Sequence, residues 1–343
     1  MIITSIIINC HTQSFAQIFP GLEGEDLVNA IRNSYTPHQL LNDTQVKDTL
    51  YARIFIEGDT VKCIYSDLPR FLPEGVDPSQ FLFGSGNENE SINMEHGWPQ
   101  AKGAGDGTDG NINMHHLYPS RVEINSDRGN YPFSEINDNT TQKWYYLGQE
   151  MSNIPGVQID EYSEFISGEF EPREAAKGDI ARAMFYFWTI YRDDAVAADP
   201  DFFNLQVDDL CQWHLEDPAD EFEMLRNERI SNYQDGKINP FIVDCSLVKR
   251  AYCNQLAACS MTSTNNETKT PSEIFYDPVQ KQFRISGEGN TNWNFYIVNL
   301  IGQVIYVKEN NQSEFIAPRI TSGFYIAFAF NRKEIISARF YIP

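Results

Sequence analysis

Residues 92–135, INMEHGWPQAKGAGDGTDGNINMHHLYPSRVEINSDRGNYPFSE, limit what this chain can become more than any other segment. The run holds three histidines, a Trp-Pro pair, a glycine-rich loop, several acids and asparagines, and two arginines. A purely structural segment of this length shows an apolar period of 2 or 3.6, and this one shows neither throughout. Side chains that are costly to bury dominate it. Such a segment points to chemistry more than to packing, because its carboxylates, amides, imidazoles and guanidinium groups can hold ions or move protons.

Glu95 and His96 come first. On a strand, neighbours point to opposite faces, but at a strand end or bend both can approach one point. A carboxylate is a hard oxygen ligand for Mg²⁺, with Ca²⁺ or Mn²⁺ as alternatives. An imidazole with a pKa near neutrality can take a proton from water. Trp98-Pro99 forces an extended exit, and the loop AKGAGDGTDGN can turn sharply enough to return a second element against the first. On that element Asn125 offers an amide oxygen as a second ligand, with Arg121 and Arg128 flanking it as bidentate phosphate donors. His115 and His116 have two readings, as zinc ligands or as hydrogen-bonded braces of the metal loop.

The rest of the chain reads as support. With 343 residues it is long for one core, and two domains are expected. The formal net charge of -22 argues against a high-affinity, non-catalytic nucleic-acid binder, whose affinity comes from cations on phosphate. It leaves room for an enzyme with a small positive site. Residues 1–16 combine a short apolar run with Ser14-Phe15-Ala16, which reads as a signal peptide cleaved after Ala16, although the usual basic start is missing; a buried first strand is the alternative. No later stretch is long and apolar enough to span a bilayer. Of six cysteines, Cys10 leaves with the signal, Cys253 and Cys259 close a short loop suited to a disulfide, and the absence of CxxC argues against a cysteine zinc site.

LEGEDLVNAIRNSYTP has helical spacing and stops before Pro37, and LLNDTQVKDTLYARIF reads as a helix running into a strand. TVKCIYSD alternates as a strand, and 68–90 reads as a loop. Residues 142–160 read as turns around Trp144, Tyr145 and Tyr146. Ile180, Ala183, Met184, Phe187, Trp188 and Tyr191 recur at helical spacing, with Gly178-Asp179 as the expected cap. Residues 210–233 predict a helix broken at Pro218, Asn239-Pro240-Phe241 a turn, and 246–253 a last helix. The composition of 257–272 is that of a linker. Beyond it, 273–343 breaks into short alternating strands that predict a small β-sandwich with no catalytic role.

The runs MEHGWPQ and INMHHLYPSRVEINSDRGNYPF resemble the bacterial endonuclease I family of ββα-metal (His-Me finger) nucleases. The resemblance rests on Asn93, Glu95, His96, Trp98 and Pro99, then on His115, His116, Leu117, Pro119, Asn125, Arg128 and Asn130. SYTPHQLL, AAKGDIARAMFYFWTIY and DPADEFEMLRNERISNYQDGKINPFI extend it over roughly 26–252. It implies His96 as general base, Glu95 and Asn125 as magnesium ligands, His116 as a brace and Arg128 near the scissile phosphate. The substrate would be DNA or RNA, cut without sequence specificity to leave 5′-phosphate ends. Two departures stand out: Asn113 replaces the family's aspartate, and Lys237-Ile238-Asn239-Pro240-Phe241 lacks its arginine.

The C-terminal segment is similar to type IX secretion sorting domains through NLIGQVIYV and ITSGFYIAF, with Tyr276-Asp277-Pro278 in place of the usual opening. That implies export from a Gram-negative cell through the periplasm, with the secretion machinery as a partner. The expected architecture is α+β: a signal at 1–16, a mainly helical nuclease domain at 17–256 built around the ββα-metal motif, a linker at 257–272 and an all-β sandwich at 273–343. The expected protein is a secreted monomer, with a non-catalytic acidic surface protein as the competing reading.

Overall fold

The computed structural model describes residues 17–84, 90–257, 272–277, 280–286, 293–299, 304–311, 314–316, 319–331 and 334–342. The expected signal at 1–16 and most of the expected linker lie outside them.

A β-hairpin and the short helix behind it form the centre. Strand Ile92–His96 pairs antiparallel with Leu117–Arg121, in a register that sets Glu95 opposite Tyr118 and His96 opposite Leu117. Helix Val122–Arg128 follows at once and carries Asn125 and Arg128. Between the strands, the glycine-rich loop holds two short helical turns, Asp109–Ile112 and Met114–His116.

Helix Glu174–Ile190 is the packing core beneath the hairpin, buried nearly all round. Its Phe187 stacks on Trp98 at 4.9 Å between ring centroids. The helix begins at Glu174, a full turn before the expected cap. Gly178 has another role. A Cβ there would lie 1.9 Å from the Asp217 carbonyl oxygen, so the glycine admits a neighbouring backbone instead of starting a helix. Helices Val207–Glu216 and Glu221–Ser231 flank Pro218 as the sequence predicts. Asn239 caps a short helix, Pro240–Val243, where a turn is expected.

Three further expectations change. Helix Asp43–Thr49 continues into a π-helical turn, Leu50–Ile54, and not into a strand. Val46, Leu50, Tyr51 and Ile54 are all buried, so the apolar face keeps helical spacing despite the β-formers around it. The expected loop at 68–90 contains strand Pro69–Phe71, paired with Thr60–Lys62, and helix Pro78–Gly84. The turn-rich segment after residue 142 belongs to a four-stranded sheet, Lys143–Tyr146, Gln149–Met151, Ser163–Ile166 and Glu169–Glu171. Its strands are too short to display an alternating pattern.

Cys253 pairs with Cys211, 42 residues away, and not with Cys259. Trp213 and Cys211 lie on one helix, so the bridge ties that helix to the last turn of chain before 257. Cys63 is a buried free thiol.

Among the described residues, 273–342 form a three-stranded and a four-stranded antiparallel sheet. Strand alternation divides their side chains. Phe295, Ile297, Tyr325, Ala327 and Ala329 face Phe283 and Ile285 of the other sheet. Tyr296, Val298, Ile326, Phe328 and Phe330 instead join the main core. The Tyr296 hydroxyl lies 3.7 Å from Met224 Sδ, and Asn294 Nδ2 donates to Glu221 Oε1 at 3.0 Å. The sandwich is therefore seated on helix Glu221–Ser231.

Candidate active site

The hairpin opens onto a cleft of about 780 Å³. Glu95, His96, Asn125 and Arg128 line it, together with Asn93, Asn111, Gln100 and Lys47.

His96 is held by one end. Its Nε2 lies 3.0 Å from both the backbone and the side-chain oxygen of Asn111. Facing two acceptors, Nε2 carries the proton, and the lone pair is left on Nδ1. The Asn111 amide is oriented in turn by Gln100 Nε2, which donates to Oδ1 at 2.8 Å. Burial holds the His96 pKa below its usual value; the bonds to Asn111 oppose that shift, and the charges of Lys47 and Arg128 add to it. The imidazole is thus kept neutral, as a base must be.

Glu95 is buried. Its Oε1 accepts from the Tyr65 hydroxyl at 2.8 Å and lies 3.5 Å from the Arg128 guanidinium. Burial raises its pKa even so, because the arginine and the tyrosine only partly offset the loss of water. A divalent cation at this carboxylate would complete the compensation. Asn125 Nδ2 donates to Asn93 Oδ1 at 2.9 Å and to the Met94 carbonyl at 3.1 Å. Both donors face protein oxygens, so the amide oxygen is turned away from them. A carboxylate and an amide oxygen at one cleft suit a hard cation that keeps several waters.

The two arginines separate. Arg128 is 1% exposed, donates to the carbonyls of His96, Gly97 and Gly129, and lies 4.5 Å over the Phe133 ring. It fixes the backbone that carries His96, and its charge faces Glu95. Arg121 does not line the cleft: it donates to the carbonyls of Leu147 and Gln149 and to the Glu123 carboxylate.

Neither histidine of the second run has a geometry suited to zinc. His116 Nε2 donates to the Gly110 carbonyl at 2.6 Å, and its Nδ1 accepts from the Trp98 amide at 3.4 Å. Both ring nitrogens are therefore occupied, and the bonds brace the glycine loop that presents Asn111. Gly110 permits this, since a Cβ there would meet the Phe187 ring at 3.0 Å. His115 is buried, donates from Nε2 to the Lys237 carbonyl, and is pushed down to about pKa 3 by burial. Among the described residues one acidic trio, Glu135, Glu171 and Glu174, has metal-like spacing. The Lys177 ammonium lies within 3.0 Å of all three, which makes the group an ion-pair cluster.

Residues outside the expected set complete the architecture. Tyr65 orients Glu95, and Asn111 orients His96. Arg226 donates to the carbonyls of Met114, His115 and Leu117, clamping the turn between loop and return strand. Asn111 stands in the glycine-rich loop, where a turn-forming asparagine gives no signal of its own. Tyr65 lies in a turn beyond strand Thr60–Lys62, within a stretch whose alternation reads as strand throughout, and Arg226 sits in an ordinary helix pattern. The two sequence departures are structural. Asn113 is buried and donates to the Tyr186 and Tyr191 hydroxyls, and Ile238 is buried in the core.

Comparison with known proteins finds extracellular nucleases. An extracellular ribonuclease of Bacillus subtilis is 33% identical over 165 residues, covering 44% of this chain and 50% of the relative. An extracellular ribonuclease of Bacillus amyloliquefaciens is 35% identical over 168 residues, with the same coverage. An extracellular deoxyribonuclease of Aeromonas hydrophila is 33% identical over 129 residues, covering 38% and 48%. The chain spans about half the length of these relatives. The family model for Endonuclease I matches residues 27–246, which include the whole hairpin, its loop and the helices beneath, and by that match the chain belongs to the Endonuclease I family.

Proposed function

We propose that this protein is a secreted, metal-dependent endonuclease that hydrolyses phosphodiester bonds of DNA and RNA, leaving 5′-phosphate ends. The observation that carries it is the pinning of His96 Nε2 on Asn111, which leaves the lone pair to Nδ1 on a residue that lines the same cleft as Glu95 and Asn125.

Glu95 and Asn125 would hold Mg²⁺, with Ca²⁺ or Mn²⁺ as substitutes, in a ββα-metal arrangement. When bound, such an ion neutralises charge on the phosphoryl oxygens and the departing 3′ oxygen. His96 Nδ1 takes a proton from the attacking water, and Asn111 stabilises the imidazolium that results. Arg128 keeps the His96 and Gly97 backbone in place and adds positive charge behind the reacting phosphate. His116 holds the loop so that Asn111 stays opposite His96.

The relatives' names include both ribonuclease and deoxyribonuclease, so both polymers are proposed substrates. Their extracellular naming supports secretion, here through the signal at 1–16 and sorting by 273–343 in a Gram-negative cell. No described helix is long and apolar enough to cross a membrane. Incubating plasmid DNA and structured RNA with the protein and Mg²⁺, Ca²⁺, Mn²⁺ or Zn²⁺ tests the proposal. Cutting that EDTA abolishes and Mg²⁺ restores is expected. Intact plasmid under every metal would leave a non-catalytic acidic surface protein.

A further inference from the structure

We infer that Lys47 is the residue that grips a substrate phosphate at the mouth of the cleft, with Asp43 holding it in place until substrate arrives. The inference rests on the nuclease reading of the cleft.

Among the described residues that line the cleft, two carry a permanent positive charge, Lys47 and Arg128. They differ in what they can reach. The Arg128 side chain is 1% exposed and its terminal nitrogens donate to three backbone carbonyls. It acts on substrate as a fixed field. The Lys47 side chain is 38% exposed, and its ammonium meets Asp43 Oδ2 at 2.7 Å. Asp43 also lines the cleft and is itself half exposed. A solvated pair four residues apart on a helix is weak and salt-sensitive. A phosphodiester anion can therefore take the ammonium from Asp43.

The backbone beneath Lys47 is well fixed. Asn42 Oδ1 accepts from the Gln45 amide, and Gln45 Oε1 accepts from the Asn42 amide, a reciprocal cap at the start of helix Asp43–Thr49. Val46, next to Lys47, is buried in the core. One helix face anchors the segment and the other presents Lys47 to the cleft that Glu95 and Asn125 also line. This gives the site a cation that can move onto a phosphate, which neither arginine of the motif provides.

The test uses the full chain with Mg²⁺ and duplex DNA, comparing wild type, Lys47→Gln, Lys47→Arg and Asp43→Asn, with Lys62→Gln as a control outside the cleft. One lost phosphate contact lowers the slope of log affinity against log salt by about 0.9. Lys47→Gln is expected to lower kcat/KM about tenfold at low salt, a loss of roughly 1.4 kcal/mol, and to flatten the salt dependence by about that one contact. Lys47→Arg retains the slope, and Asp43→Asn raises affinity. A Lys47→Gln protein that melts and cuts like wild type with an unchanged salt slope overturns the inference while leaving the nuclease proposal standing. Wild-type protein that neither binds nor cuts DNA overturns both.

Discussion

Replacing His96 by alanine removes the proposed base while leaving its surroundings in place. The ring is half-buried, and its Nε2 is hydrogen-bonded to Asn111. The Asn111 amide keeps its bond from Gln100, and Glu95 keeps Tyr65 and Arg128. Folding stability should change little. A positioned general base contributes about 10²–10⁴ in rate, or roughly 3–5 kcal/mol of barrier at about 1.4 kcal/mol per tenfold. Turnover of supercoiled plasmid at saturating Mg²⁺ should fall by that factor, with an unchanged melting temperature. Asn111→Asp probes the same assignment with opposite charge. It places a carboxylate where Oδ1 now lies 3.0 Å from Nε2, and a carboxylate that close raises an imidazole pKa by roughly 1–3 units. In the native protein His96 is held below its ordinary value, so activity persists below pH 6.5 and is lost as pH falls through the lowered pKa. In Asn111→Asp the acid limb of kcat should move to higher pH by about the same 1–3 units. Wild-type turnover in His96→Ala, or an acid limb unmoved in Asn111→Asp, would refute the assignment.

Two further predictions concern the scaffold. The Cys211–Cys253 bridge spans 42 residues, and closing a loop of that length restricts the unfolded chain by about 4 kcal/mol; Cys211→Ala/Cys253→Ala should lower chemical-denaturation stability by roughly that amount, and a difference under about 1 kcal/mol would place the bridge's role elsewhere. Deleting 273–343 uncovers Met224 of helix Glu221–Ser231, which Tyr296 meets, and the part of the main core that Phe328 and Phe330 complete. The truncated protein should melt lower and bind a hydrophobic dye, while specific activity per folded molecule stays within about twofold, since no described residue of that segment lines the cleft. Loss of activity in a folded truncation would make the sandwich part of the enzyme.

The chemistry of the hairpin was legible because its residues had no structural excuse for being together. Glu95, His96 and Asn125 stand out in a run without apolar periodicity, and the structure brings all three to one cleft. The long helices were legible for the complementary reason, as Ile180, Ala183, Met184 and Phe187 mark one apolar stripe and are buried. What failed to show was whatever depends on a distant partner. Gly178 looks like a helix start, but its reason is the Asp217 carbonyl 39 residues away. Arg128 and Arg121 look alike beside Asn125, and only the fold shows one facing Glu95 and the other facing the Leu147 and Gln149 carbonyls. Cys253 has a near neighbour in sequence at Cys259 and a bonded one at Cys211. The sheet at 143–171 was missed because three- and four-residue strands hold too few side chains to reveal a period.

The charge of the chain then finds a consistent place. A net -22 repels polyanions at long range, so substrate capture at low salt cannot come from the protein's overall field. It has to come from charges at the cleft, where Arg128 is buried against backbone carbonyls, Lys47 is partly exposed, and the proposed cation at Glu95 and Asn125 would add a third. The two cations give a short reach: beyond about 8–10 Å, salt at physiological strength screens both their attraction and the surface repulsion. Raising ionic strength therefore weakens two opposing effects, and at low salt the repulsive one acts over the longer range. Activity on long DNA should accordingly tolerate, or rise with, moderate salt before the loss of the Lys47–phosphate contact brings it down, whereas a basic nuclease falls from the start. A short oligonucleotide, which meets less of the acidic surface, should show only the falling arm.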